Sequence, residues 1–70
     1  EMEDMLAKAL KSLDKKYSNV FQLREIQGYS TEETARILEL RIPAVKTRLH
    51  RARLALRREL APYFGRTTES

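Results

Sequence analysis

The sequence predicts an all-α fold, a compact domain of four helices with the longest helix last. Two observations predict this class. Apolar residues recur at spacings of three and four along most of the chain, as on one face of a helix, and glycine, proline and capping residues divide the pattern into four segments. With 70 residues and 41% apolar content, the chain can form one small core and no more.

Apolar stripes predict the first two helices. The first is expected from Met2 to Leu13, and a short polar connection follows it. The second is expected from Tyr17 or Ser18 to Gln27, because Gly28 can adopt the left-handed conformation found just past a helix end. The apolar positions of the two helices, most of them expected in the core, are Met5, Leu6, Ala9, Leu10, Leu13, Val20, Phe21, Leu23 and Ile26.

The third helix begins with the sharpest local signal in the chain. Ser30 and Glu33 have the spacing of a capping box, in which each residue's side chain accepts a hydrogen bond from the other's backbone N–H. A helix is therefore expected from residue 31. The residues expected to be buried in it are Ala35, Ile37 and Leu38, with Thr34 at the edge.

The fourth helix is expected from about Pro43 to Leu60, after a turn at residues 39–42. Proline is tolerated best in the first turn of a helix, where its missing N–H has no partner to lose. The expected core face of this helix is Val45, Leu49, Ala52 and Leu56. Pro62 and Gly65 are expected to end regular structure, so that residues 1–64 form the domain and residues 65–70 a flexible tail. Tyr63 and Phe64 are candidates for a partner contact or a C-terminal lid.

Positive charge is concentrated in the C-terminal part of the chain. The net charge is +4, but residues 1–40 carry six Lys or Arg and eight Asp or Glu, whereas residues 41–70 carry eight and two. A local basic patch attracts polyanions, among which nucleic acid is the commonest soluble partner. A solvated helix face is the competing interpretation.

The composition argues against several classes of function. No apolar run approaches the roughly 20 residues of a membrane span, and the acidic N-terminus is unlike a signal peptide. No cysteine is present and His50 is the only histidine, too few ligands for a metal site. No nucleophile–base pair, phosphate loop or paired carboxylates occur at usable spacing. We expect a cytoplasmic protein that is not an enzyme and has no cofactor and no small-molecule substrate. Since position 1 is not Met, we expect a piece of a longer protein.

The third and fourth helices together predict a helix-turn-helix with the recognition helix last. In this motif the second helix enters the major groove of DNA. Four polar side chains lie at positions i, i+1, i+4 and i+5, away from the expected core face, and these are Lys46, Thr47, His50 and Arg51. Their donors, acceptors and methyl group suit contacts with base edges, so they are the candidate base-reading residues.

The chain resembles a known family at this motif. Residues 23–35 show the pattern Leu-Arg-Glu-x-x-Gly-x-Ser-x-x-Glu-x-Ala, and residues 45–53 read Val-Lys-Thr-Arg-Leu-His-Arg-Ala-Arg. Both stretches, in this order and at this separation, resemble region 4 of the extracytoplasmic-function (ECF, group 4) sigma factors of bacteria, within the sigma-70 family. The resemblance implies that the fourth helix binds the promoter −35 element within RNA polymerase holoenzyme. It further implies docking of the polymerase β-subunit flap and, in many members, of an anti-sigma factor.

Candidate phosphate contacts complete the predicted site, and they are Arg41, Ala44, Arg53 and Arg24. Ala44 stands where many members of the family have Thr at the start of the recognition helix. Arg48 and Arg53 could each grip phosphate or pair with Glu25, Glu32 or Glu33; we expect an internal ion pair for Arg48 and phosphate for Arg53. Arg57 and Arg58 are expected on a solvated face. Two rival interpretations are a response-regulator output domain and a protein-interaction module in which DNA contact is secondary or absent.

Overall fold

A computed structural model describes the backbone of residues 2–69 and the side chains of residues 4–62. Its helices are α1 (Met2–Ser12), α2 (Lys15–Phe21), α3 (Thr31–Leu38) and α4 (Ile42–Glu69). A π-helical segment, Gln22–Ile26, continues α2 directly. No strand occurs among the described residues, so the predicted all-α class with four helices is confirmed.

The core consists of two clusters joined by the side chain of Phe21. One cluster holds α2, α3 and the N-terminal half of α4 together, and its buried residues are Val20, Ala35, Val45 and Leu49. The other seats α1 on the later part of α4, and its buried residues are Ala9, Leu10 and Leu56. Phe21 packs against both clusters. The first three helices therefore brace α4, which is the longest element of the fold.

Helix α2 begins earlier than the sequence predicts. The Asp14 carbonyl oxygen accepts hydrogen bonds from the backbone N–H groups of Tyr17, at 2.9 Å, and Ser18, at 3.1 Å, so the helix starts at Lys15. Its first turn carries the exposed Lys15 and Lys16, which give no apolar periodicity to recognise. The π-helical segment that continues α2 ends at Ile26, one residue before the predicted end, and Gly28 has a φ of +81° in the left-handed region.

The core face of α3 is rotated from the predicted one. Thr34, expected at the edge of the core, is fully buried, whereas Ile37, expected to be buried, is 50% exposed, so both assignments are wrong. Thr31, Thr34, Ala35 and Leu38 form the stripe at three- and four-residue spacing that is at least partly buried. At about 100° per residue, Ile37 lies roughly 200° around the helix from Ala35 and faces away from the core.

Helix α4 begins close to the predicted position and extends beyond the predicted end. It starts at Ile42, which places Pro43 in the first turn as expected. It continues through Pro62 to Glu69, so the prediction that Pro62 and Gly65 end regular structure is wrong. A proline inside a helix removes one hydrogen bond and bends the helix, which need not end there. The side chains of Tyr63 and Phe64 lie outside the described ones.

Candidate nucleic-acid interface

Helix α4 has one buried face and one exposed polar face along its N-terminal half. Val45 and Ala52 are fully buried, and Leu49 and Leu56 are nearly so, which confirms the predicted core stripe. The four candidate base-reading side chains, Lys46, Thr47, His50 and Arg51, are all exposed. Residues 46–51 span about 7.5 Å of helix at 1.5 Å per residue, which fits within a major groove about 12 Å wide.

The exposed face presents varied hydrogen-bonding groups. Lys46 and Arg51 donate only, and an arginine can bond both O6 and N7 of guanine at once. Thr47 can donate, accept or present its methyl group to thymine, while a neutral His50 offers one donor and one acceptor. A helix face of this composition can distinguish base pairs as well as bind charge.

A capping box holds the start of α3, the first helix of the motif. The Glu33 backbone N–H donates to Ser30 Oγ at 3.0 Å, and the Ser30 backbone N–H donates to Glu33 Oε1 at 2.8 Å. The bond from the Ser30 backbone is the main cause that lowers the pKa of Glu33 from its ordinary 4.5, with smaller contributions from the Ser30 side chain and the charge of Arg36. The predicted capping box is confirmed.

A three-residue turn connects α3 to α4. Glu39 ends α3 with φ 57° and ψ 49°, a left-handed conformation that is uncommon for a residue other than glycine. The Leu40 side chain then packs against the core, and its backbone N–H donates to the Ala35 carbonyl oxygen at 2.8 Å. The Arg41 carbonyl oxygen accepts from the Ala44 and Val45 N–H groups at 3.0 and 3.1 Å, and α4 begins. This turn fixes the direction in which α4 leaves the domain.

One ion pair ties α4 to the segment after α2, and it involves a different arginine from the predicted one. Arg53 Nη2 donates to Glu25 Oε2. Within residues 4–62 no other pair of opposite charges lies within 4.0 Å, so the expectation of an internal ion pair for Arg48 is wrong. Arg48 is half-buried at the flank of α4 and lines a cavity instead.

The remaining phosphate candidates differ in how free they are to bind DNA. Arg41 is exposed at the start of α4. Arg24 is half-buried, and its Nη1 donates to the Tyr29 carbonyl oxygen at 2.9 Å. The Ala44 backbone N–H already donates to the carbonyl oxygen of Arg41, just ahead of α4. Arg57 and Arg58 are exposed, as expected of a solvated face.

The chain matches one protein family over most of its length. The family model for sigma-70, region 4, matches residues 3–56. This chain belongs to the sigma-70 region 4 family. Region 4 is the domain of sigma-70 factors that binds the promoter −35 element, and sigma factors are non-enzymatic initiation factors. The matched range contains α1 except Met2, all of α2 and α3, and residues 42–56 of α4, so the predicted family and class of function are confirmed.

A curated relative agrees with this assignment. The region 4 domain is 37% identical over 60 residues to the ECF RNA polymerase sigma factor SigW of Bacillus subtilis (strain 168). The aligned part is 86% of this chain and 32% of SigW, so the chain spans about a third of the length of that relative. No solved structure matches the chain.

Two residues near the interface of the region 4 domain were not predicted from sequence. Lys16 and Tyr17, at the start of α2, line a cavity of about 310 Å³ together with Thr47 and Arg51 of the candidate base-reading face. Only the packing of α2 beside α4 brings them there. The adjacent lysines at 15 and 16 were the one local signal, and they lie in a stretch expected to be a connection.

The described part of the chain offers neither a metal site nor a membrane span. The described residues contain no cluster of three or more His, Cys, Asp or Glu side chains that could hold a metal ion. None of the helices in the described part of the chain has the length and apolar character that a membrane span requires.

Proposed function

We propose that this domain reads the −35 element as the C-terminal part of a longer ECF sigma factor, and that Lys46, Thr47, His50 and Arg51 contact the bases. One observation carries the proposal: these four side chains are exposed on one face of α4, while Val45, Leu49 and Ala52 hold the opposite face in the core. Side chains near the N-terminal end of a recognition helix are those that reach base edges.

The phosphate contacts in this proposal are graded by how free each group is. Arg41 is exposed at the start of α4, and in this proposal it contacts a DNA phosphate directly. At Ala44 the small methyl side chain lets the backbone approach the first turn of α4. Arg53 and Arg24 are weaker phosphate contacts, since each already donates a hydrogen bond to another residue of the domain. Such contacts fix register and carry no sequence information themselves.

The protein partners in this proposal are RNA polymerase core, through its β-subunit flap, and an anti-sigma factor. Large apolar side chains outside the core are the candidates for such contacts, and these are Ile26, Tyr29, Ile37, Ile42 and Leu54. The longer protein would direct transcription initiation in the cytoplasm.

Binding measurements with alanine variants test the base-reading role. A preferred duplex is first selected from random sequences by the 70-residue chain. Lys46→Ala and Arg51→Ala should each lose about 1–3 kcal/mol on that duplex, and little on random DNA. The matched control is Arg58→Ala, which removes one positive charge from an exposed position further along α4. It should weaken binding to both duplexes by the same small factor.

The results can refute each part of the proposal. An equal loss on both duplexes would show that Lys46 or Arg51 contacts phosphate only. If selection yields no preferred duplex, base reading by this domain is wrong as a whole. The slope of log affinity against log salt counts the phosphate contacts, at about −0.9 for each phosphate neutralised.

A further inference from the structure

A basic cavity lies between the start of α2 and the N-terminal half of α4. Its volume is about 310 Å³. The lining residues are Lys16 and Tyr17 from α2, and Ala44, Thr47, Arg48 and Arg51 from α4. Positions 44, 47, 48 and 51 form one stripe along a helix, so the cavity follows α4 beside its exposed face. Thr47 and Arg51 belong to both surfaces.

The charges of the cavity are not neutralised by any of the described side chains. Three of its six lining residues are cations and none is acidic. Within residues 4–62 the only ion pair is Arg53–Glu25, so Lys16, Arg48 and Arg51 have no carboxylate within 4.0 Å among those residues. Like charges gathered in one small cavity disfavour each other and attract an anion. Arg53 differs from these three cations, because it forms an ion pair with Glu25.

Two of the three cations are held in place at the cavity. The Lys16 ammonium lies 5.2 Å from the centre of the Tyr17 ring, within the range of a cation–π interaction. Tyr17 and Arg48 are half-buried, so packing restricts both side chains. A guanidinium can bond two oxygens of one phosphate, and an ammonium adds a compact positive charge.

We propose that this cavity binds one backbone phosphate of promoter DNA, with Lys16 and Arg48 as the anion-binding groups and Tyr17 as a positioning residue. The proposal rests on the proposed function, since it needs α4 to lie on duplex DNA. A phosphate held between α2 and α4 anchors the domain at a second helix, and it thereby fixes the register of the four base-reading residues in the groove.

Neighbouring lysines provide the test and its matched control. Lys16→Gln and Lys15→Gln each remove one positive charge at adjacent positions of α2. Lys15 is exposed and lines a different cavity, between α1 and α2. If one neutralised phosphate contributes a slope of about −0.9, its loss corresponds to about an eightfold weaker affinity at 0.1 M salt relative to a 1 M reference.

Lys16→Gln is therefore expected to bind both the preferred and the random duplex about eightfold more weakly at 0.1 M salt, and to lower the salt slope by about 0.9. Lys15→Gln should change affinity less than about twofold. An equal loss in both variants would overturn the proposal, because only the net charge would then matter. Arg48→Gln should behave like Lys16→Gln, with circular dichroism as the check that this half-buried position still folds.

Neutral methylphosphonate linkages, placed one at a time along the preferred duplex, identify the phosphate. At one position the linkage should weaken binding of the unmodified chain and of Lys15→Gln, while leaving Lys16→Gln unaffected. If the loss of affinity from the linkage and the loss from Lys16→Gln add together at every position of the duplex, the proposal is overturned. A Lys16→Gln chain that binds DNA normally but loses affinity for RNA polymerase would also overturn it, since the cavity would then hold an acidic protein side chain.

The two proposals fail in different ways. If Lys46→Ala and Arg51→Ala each weaken both duplexes equally while the methylphosphonate result is as expected, base reading by Lys46 and Arg51 is wrong and the phosphate site stands. If Lys46→Ala discriminates between the duplexes while Lys16→Gln and Lys15→Gln behave alike, base reading stands and the phosphate site is wrong. A chain that binds no duplex at all overturns both.

Discussion

Val45 and Lys46 are neighbours on α4, and substitution by alanine should lower the stability of the fold at Val45 and the affinity for DNA at Lys46. The side chain of Val45 is fully buried in the cluster shared by α2, α3 and α4. Val45→Ala deletes two carbon groups there, which costs about 1.6 kcal/mol at roughly 0.8 kcal/mol for each. A residual cavity of roughly 40 Å³ adds about 1 kcal/mol. The expected loss of unfolding free energy is therefore about 2.5 kcal/mol.

That loss is large for a chain of 70 residues. A stability of 0.05–0.15 kcal/mol per residue amounts to about 3.5–10 kcal/mol in total. The melting temperature should fall by roughly 10–20 °C, at about 4–8 °C for each kcal/mol.

Lys46 is exposed. Lys46→Ala should change stability by less than about 0.5 kcal/mol while weakening binding to the preferred duplex.

Urea unfolding followed by circular dichroism measures the first effect, and fluorescence anisotropy with a labelled duplex measures the second. The Val45→Ala chain should keep the affinity of the unchanged chain at temperatures where it is fully folded. The assignment of the two faces of α4 would be refuted by a loss of less than about 1 kcal/mol in Val45→Ala, or by a comparable loss in Lys46→Ala.

Three further predictions concern the elements that hold α4 in place. The lowered pKa of Glu33 means that its carboxylate stabilises the fold above pH 4.5 and that this contribution is lost as pH falls through the folded-state pKa. Glu33→Gln should therefore lose less stability than the unchanged chain between pH 5 and pH 3, because glutamine keeps the capping box without titrating. Urea unfolding at each pH measures the difference. Gly28→Ala should cost about 1 kcal/mol, since φ is +81° with nothing within 4 Å of an added Cβ, and Gly28→Asn should cost less. If both variants cost the same, backbone conformation is not the cause. A double-mutant cycle on Arg53 and Glu25 should give a coupling of about 0.2–1 kcal/mol, because the pair is partly exposed; zero coupling would mean that it does not hold α4.

Features set within one helix were predicted well from the sequence. The capping box needs only Ser30 and Glu33 three residues apart, and the structure contains both of its hydrogen bonds. The core face of α4 was found because Val45, Leu49 and Ala52 are separated by whole helical turns and all are buried. In each case the interacting or aligned groups are brought together by the helix itself.

Features that depend on a second element were predicted poorly. Ile37 is more apolar than Thr34, yet Thr34 is buried, because the angle at which α3 packs decides which stripe faces the core. Either Arg48 or Arg53 could reach an acidic residue, and the position of Glu25 after α2 selects Arg53. Two adjacent lysines were the one local signal near the start of α2, and only the packing of α2 beside α4 places Lys16 in a cavity with Thr47 and Arg51.

The sequence by itself determined the class of fold, the family, the helix-turn-helix and the division of α4 into a buried and an exposed face. These follow from spacing along the chain, which helical geometry converts directly into position on a surface. Only the tertiary structure decided which stripe of α3 is buried, which arginine is neutralised, and which cations of α2 and α4 share a cavity. Those outcomes depend on the crossing of helices that are distant in sequence, and a residue pattern within one helix does not contain that angle.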